Sequence, residues 1–529
     1  ISAKSSPASR YGAAAGGRVA VEVVGSETLG FPVANLTAVG SSGASGGAGG
    51  TVVTKTTSQT YGTLYVSQIP RNSTWSHIHP KVETTTPVVG TWTFDAIKLS
   101  ACGILSIPAG SKLVLPNGFV SVSGNSKTAG ILYYGGSIDA QGANPYTFSS
   151  NWVFQAGMPY VVTGNVQVVN NGAIGQLLLY GQSLATYTKS SFSVVGDMTV
   201  DATSWLYARQ TGLQHDTLPT GQRTAHGGQQ ASLTNNYTYG SALNPTMPGT
   251  EGHESDSAVL YPGGGVILLN VSGTLELNGN AEASGWYNSN CEIPGSDNNM
   301  TWSSRPGSGG SINITAGKLT GTGSIKAPGL SGNYTSGGTA PRGSTGGGRV
   351  AVRLTDPDAS FSSYWLTNIT AKGASCALSK TYTNSLFASA GTVYLQTAAN
   401  GGEGRGSLYV RDYGVSVATN VVTWLPAASY ADAAAEFKNV SLVLGGYAHV
   451  RLSTNAIQMV SLNLESGSTL DLNGKAFTVR TMKAGGAPVG RGTYVSGSSL
   501  FTAGYVLDSA VGATGTLTVL GEPSLISIR

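Results

Sequence analysis

The chain has 529 residues, of which 75 are glycine and only 10% are charged, and its 29 basic and 25 acidic side chains leave a formal net charge of +4. An apolar content of 40% excludes a chain held open by charge, and glycine without a period of three excludes a collagen-like helix. With no run of Lys or Arg to neutralise a row of phosphates, nucleic acid is not an expected partner, and no apolar stretch reaches the ~20 residues of a membrane helix.

The chain opens at Ile1 without Met or a signal-peptide pattern, as expected of a processed or trimmed product. Residues 1–66 hold Gly16-Gly-Arg18-Val-Ala-Val21, Asn35-Leu-Thr-Ala-Val-Gly40, Gly50-Thr-Val-Val53 and Thr63-Leu-Tyr-Val66. The same blocks return as Gly347-Gly-Arg349-Val-Ala-Val352, Asn368-Ile-Thr-Ala-Lys-Gly373, Gly391-Thr-Val-Tyr-Leu395 and Ser407-Leu-Tyr-Val410, at offsets of 331, 333, 341 and 344. Growing offsets place the length changes between short strands, as in a duplicated structural unit. The first copy is incomplete, which predicts an open strand edge covered by another subunit in head-to-tail contact.

Residues 67–91 read as a linker, because Pro70, Pro80 and Pro87 would interrupt a central strand. Residues 92–206 are strand after strand of four to seven residues, alternating apolar and polar and bounded by Gly, Pro, Asn or Ser. Residues 207–262 lose that alternation and are expected to form a polar excursion on the outside of the strand stack. The alternation returns in 263–410 as a cycle of Gly pair, strand, Gly turn, second strand and closing x-Ala-x-Gly. Residues 411–529 form a C-terminal β region and cap, with one helix expected over Pro426–Phe437 for its alanine run.

These features predict an all-β fold, an elongated β-solenoid (β-helix) with long loop excursions, in which Gly and Asn occupy corners that need positive φ. At ~22 residues per coil the chain could supply at most about 24 coils, or roughly 115 Å of stack. The Gly-Gly-Gly-Arg-Val-Ala-Val and Gly-Thr-Val-Tyr-Leu blocks resemble large glycine-rich secreted or cell-surface β-helix proteins of bacteria. So do His226-Gly-Gly and Tyr239-Gly-Ser in the excursion. The ending Ser468-Thr-Leu-Asp-Leu-Asn-Gly-Lys475 with Gly492-Thr-Tyr494 is similar to autotransporter-associated β-strand repeats. The resemblance implies an extracellular or cell-surface location and a structural or adhesive role, and it carries no catalytic residue.

Candidate chemistry is sparse. Glu251, His253, Glu254 and Asp256 cluster in the excursion, and Asp356 and Asp358 follow the Arg349 strand; calcium is the ion these oxygens would suit, although no fixed ligand spacing is present. No other cofactor is called for. Asp197 and Asp201 lie four residues apart, about 13 Å along a strand, beyond the separations of paired-carboxylate glycosidases. Trp286, Tyr287, Trp302, Tyr334, Tyr364 and Trp365 fall in or beside loops, where aromatics could stack on sugar rings or on a neighbouring subunit. Cys102, Cys291 and Cys376 suit neither a zinc spacing nor a disulfide framework. Arg349 is expected to face outward as a packing or interface residue. The resulting expectation is a non-enzymatic extracellular structural protein whose partner is itself, in a filament or sheath. The alternatives are a carbohydrate-binding or adhesive surface protein and, with less support, a β-helix polysaccharide lyase or hydrolase.

Overall fold

The computed structural model describes residues 1–4, 15–40, 48–68, 85–101, 103–117, 120–123, 130–134, 136–139, 145–148, 151–154, 159–170, 172–176, 187, 189–208, 211–213, 225–229, 238–251, 263–285, 307–330, 344–362, 364, 366–376, 386–402, 404–412, 421–512 and 514–522. The fold is all-β. Its regular structure is strand, broken by short 3-10 turns and one four-residue α-helix, Ser499–Thr502, among the described residues.

Large parallel sheets dominate. One contains nine strands in chain order, from Thr86–Pro87 through Ile104–Pro108, Gly130–Tyr134, Asn151–Phe154, Ala173–Gln176, Trp205–Tyr207, Asn280–Glu282 and Ser324–Lys326 to Ile369–Thr370. A second runs in parallel from Ser191–Val195 through Val266–Leu277, Ser311–Thr320 and Arg349–Leu354 to Thr392–Thr397. Parallel neighbours cannot be joined by a tight turn. Here the chain leaves one sheet, contributes to another and returns to stack on its own earlier strand.

The strand Val266–Leu277 shows how. Its first half pairs with Ser191–Val194 and its second with Met198–Val200 in one register, and against the next strand, Ser311–Thr320, the register shifts between Val271 and Thr274. At that bend a Cβ on Gly273 would lie 2.2 Å from Asp197 Oδ1 and 2.9 Å from Gly196 O, so a side chain there would displace the Asp197 carboxylate and press on backbone.

Alternation sends every second residue inward. Leu269, Ile314, Val352 and Leu395 form one buried row, directly opposite one another on successive strands. Each such side chain contributes about 1.5–3 kcal/mol by leaving water. The expected ~22-residue spacing holds for Ser441, Ser461 and Thr481, which pair at 20-residue intervals. Elsewhere loops stretch it, as from Ser191 to Leu268.

Glycines fall into two groups, which corrects the expectation that they serve as positive-φ corners throughout. Gly110, Gly164 and Gly321 do have positive φ. The glycines of the repeated Gly-Gly blocks are required by close backbone approach instead. A Cβ on Gly347 would lie 2.0 Å from Ala371 O, and one on Gly391 would lie 1.6 Å from Gly348 O. Gly391→Ala is expected to cost about 3 kcal/mol or more. Gly490→Ala, whose Cβ would meet nothing nearer than 3.9 Å, should be close to neutral; parallel thermal melts of the two variants check this.

The duplicated blocks adopt the same pairing. Arg18 pairs with Thr51 as Arg349 pairs with Thr392, both in parallel. Val52 pairs with Tyr65 as Val393 pairs with Tyr409, both antiparallel, and Leu64 with Ile97 as Leu408 with Leu442, again parallel. The copy reaches further back than the blocks that match by eye. Ser2 bridges Thr37 as Lys326 pairs with Thr370, and Gly17 N donates to Ala3 O as Gly348 N donates to Ala327 O, each at 2.7 Å. In both copies one antiparallel step reverses the strand sense while the stacking continues.

After the second reversal, Ser407–Arg411, Ser441–Gly445, Ile457–Leu464, Ala476–Ala484 and Thr516–Val519 stack in parallel, and Gly492–Tyr494 covers the last strand antiparallel. The helix expected over Pro426–Phe437 does not form. Ser429 bridges Tyr239, Tyr430 has φ 51°, and only a 3-10 helix at Ala434–Asn439 remains. Within the stretch read as a linker, Thr86–Pro87 is a strand at the end of its sheet, a position where proline's missing N–H is harmless.

Candidate functional site

The described parts of the 207–262 excursion are not a solvated loop. His226, Tyr239, Thr250 and Glu251 are fully buried, and the segment runs as a strap over the strands on both sides of the second reversal. Gly212 N donates to Gly263 O, Gly249 N to Gly264 O and Gly228 N to Gly347 O, at 2.7–2.9 Å. Farther along, Val422 N donates to Gln229 Oε1 at 2.9 Å, and Gly240 N donates to Ser429 O at 2.9 Å. The local cause is again glycine: a Cβ on Gly227 would lie 2.1 Å from Gly348 O, and one on Gly228 still closer to Ser389 O.

Arg349 lies at the centre of the strap. Strand alternation puts it opposite the core face that Val350 occupies, yet it is wholly buried, which corrects the expectation of an outward-facing residue. Its Nε donates to Tyr239 O at 2.8 Å and its Nη1 to Thr392 Oγ1 at 3.0 Å. Burial lowers its pKa to about 10, with Asp432 and Tyr239 opposing the shift, so the guanidinium is charged at neutral pH. Asp432 accepts hydrogen bonds from Ser241 Oγ and from the amides of Ala242 and Leu243. Arg353 extends the contact, donating to Leu243 O and, at 3.0 Å, to Asn313 Oδ1.

His226 packs on the Tyr239 ring with centroids 4.8 Å apart. Its Nδ1 lies 2.9 Å from Gly309 O; a carbonyl only accepts, so Nδ1 carries the proton. Burial, with Arg349 adding to it, holds the imidazole pKa down at about 3. This histidine is a neutral packing group, unsuited to proton transfer near neutral pH.

The remaining candidates scatter. Glu251 lies buried at the end of the strap, whereas His253, Glu254 and Asp256 lie outside the described residues. Asp356 pairs with Lys318 at 3.4 Å and accepts the Asp358 amide at 2.9 Å, the geometry of a turn. Among the described residues no group of three His, Cys, Asp or Glu side chains could hold a metal ion. Of the aromatics, Trp286, Tyr287, Trp302, Tyr334 and Trp365 lie outside the described residues. Tyr364 is a correction: it is fully buried in the main core, and burial raises its hydroxyl pKa, so it cannot stack on an external sugar. Cys102 and Cys291 lie outside the described residues, and Cys376 sits in a two-residue strand.

Asp139 pairs with Lys112 at 2.8 Å, and several other described aspartates accept from backbone. Asp95 accepts the Tyr61 and Gly62 amides, Asp197 that of Thr274, and Asp201 those of Asn170 and Thr203. Asp471 accepts those of Asn473 and Ser509, and Asp508 those of Gly474 and Gly515. Most of these bonds join segments more than thirty residues apart. Asp508→Ala should therefore leave two or more amides without their acceptor and cost about 2 kcal/mol, measurable as a lowered denaturant midpoint. Comparison with family models, with curated proteins and with solved structures finds no match to this chain.

Proposed function

We propose that the chain is an elongated β-solenoid serving as an extracellular structural protein of a bacterial surface, associating head to tail into a fibre, filament or sheath. The observation that carries this reading is the use of its carboxylates. A hydrolase or lyase acting on polysaccharide needs acids free to exchange protons with substrate, whereas these aspartates tie distant segments of the backbone together. The strap favours the same reading, since it fastens strands on both sides of a strand reversal. The glycine-rich repeats and the likeness to surface β-helix proteins point the same way.

Negative-stain electron microscopy of the purified chain over a hundredfold concentration range tests the proposal. Rods that lengthen by end-to-end contact as concentration rises are the expected result. Dispersed monomers at every concentration would overturn it.

A further inference from the structure

The two copies of the duplicated unit differ in what covers them. Around Arg349 the covering is the strap: Gly228 N donates to Gly347 O, the Tyr239 carbonyl accepts from Arg349 Nε, and Gly346, Gly347 and Gly348 are all buried. The matching residues of the first copy are Gly16, Gly17 and Arg18. Gly16 N donates to Ala48 O as Gly347 N donates to Ser389 O, and Thr51 N to Gly17 O as Thr392 N to Gly348 O. The floor of the groove is built alike in both places, but among the described residues the strand Ser311–Thr320 that flanks Arg349–Leu354 has no counterpart beside Arg18–Glu22, which is the edge strand of its sheet.

In the first copy it is open. Arg18 is exposed, Gly16 and Gly17 are half-buried, and among the described residues neither a carboxylate nor a carbonyl accepts from the Arg18 guanidinium and no amide donates to Gly16 O. We infer that this groove is a docking site for an extended, glycine-bearing segment of another polypeptide chain, held as the strap is held in the second copy. Such a segment would donate a backbone amide to Gly16 O, present a carbonyl to Arg18, and carry glycine where it passes Gly17. The filled copy sets that last requirement, because side chains at Gly227 or Gly228 would strike backbone. The inference stands whether or not the protein polymerises.

A fluorescent synthetic peptide of residues 224–250, which holds both strap segments, provides the probe, with binding to the full chain read by anisotropy. Saturable binding is expected. Arg18→Ala, an exposed position that leaves the fold intact by circular dichroism, should weaken it about tenfold or more, and a peptide with Gly228→Ala should not bind. Absence of saturable binding overturns the inference. So does binding that survives Arg18→Ala, which would place the peptide elsewhere, including in exchange with the resident strap, whether or not Gly228→Ala abolishes it.

Discussion

Arg349→Met should lower the stability of the chain by about 3–5 kcal/mol, the largest effect expected of any single side chain here. Methionine keeps much of the volume but leaves the Tyr239 carbonyl and Thr392 Oγ1 buried without a donor. It also removes the cation near Asp432, the carboxylate that counters the lowering of the Arg349 pKa. An unsatisfied buried acceptor costs ~1–3 kcal/mol by itself. The matching change at the first copy, Arg18→Met, falls on an exposed side chain and should stay within about 0.5 kcal/mol. Denaturant titration of both variants makes the comparison, and equal losses would show that the strap does not depend on its arginine. Since the strap joins both sides of the strand reversal, Arg349→Met should also raise amide exchange around Ser429 and Asp432 before the strands themselves open.

Mild acid should destabilise the protein well before its carboxylates titrate. Burial holds His226 neutral with a pKa of about 3. It likewise lowers His449 to about 4, with Asp471 pulling up and Arg451 pulling down. In the unfolded chain both imidazoles titrate near ~6.5, so the unfolded state binds protons first as pH falls. The contribution is complete above about pH 6.5 and is lost from there down to about pH 4 for His449 and about pH 3 for His226, with a limiting slope near 2.7 kcal/mol per pH unit for the two groups. Below that range Asp201 and Asp471, whose pKa values hydrogen bonds lower in the fold, extend the loss in the same direction. Urea midpoints at pH 8, 7, 6 and 5 should therefore be flat at first and then fall, and His226→Gln with His449→Gln should flatten the curve. A midpoint unchanged between pH 7 and pH 5 would contradict the assignment.

Strand positions and the duplication were legible in the sequence because both rest on local signals. Period-two alternation places Val350, Val352 and Leu354 in the core, and repeated spelling links Arg18 to Arg349. The strap was not legible, since its bonds run between backbone groups over long separations, as from Gly228 to Gly347, and backbone carries no residue signature. Arg349 shows the limit: alternation correctly set it opposite the core face, and nothing local announced that Tyr239 would cover it. The alanine run near Asp432 misled for a related reason. Helix propensity there is outweighed by the Ser429 bridge and by the amides that Asp432 accepts. The extension of the first copy to Ile1 did have a signal, Ile1-Ser-Ala3 against Ile325-Lys-Ala327, too short to weigh without the matching hydrogen bonds.

The antiparallel steps at Val52–Tyr65 and Val393–Tyr409 have a mechanical consequence. Strand sense flips there while stacking advances in the same direction, so in the coil we propose the chain climbs clockwise on one side of each step and anticlockwise on the other. Such a rod is a series of springs of alternating hand. Under tension, springs of one hand turn their ends, and springs of opposite hand in series turn against each other. The rotation gathers at the reversals, and the second of them is the one the strap binds down.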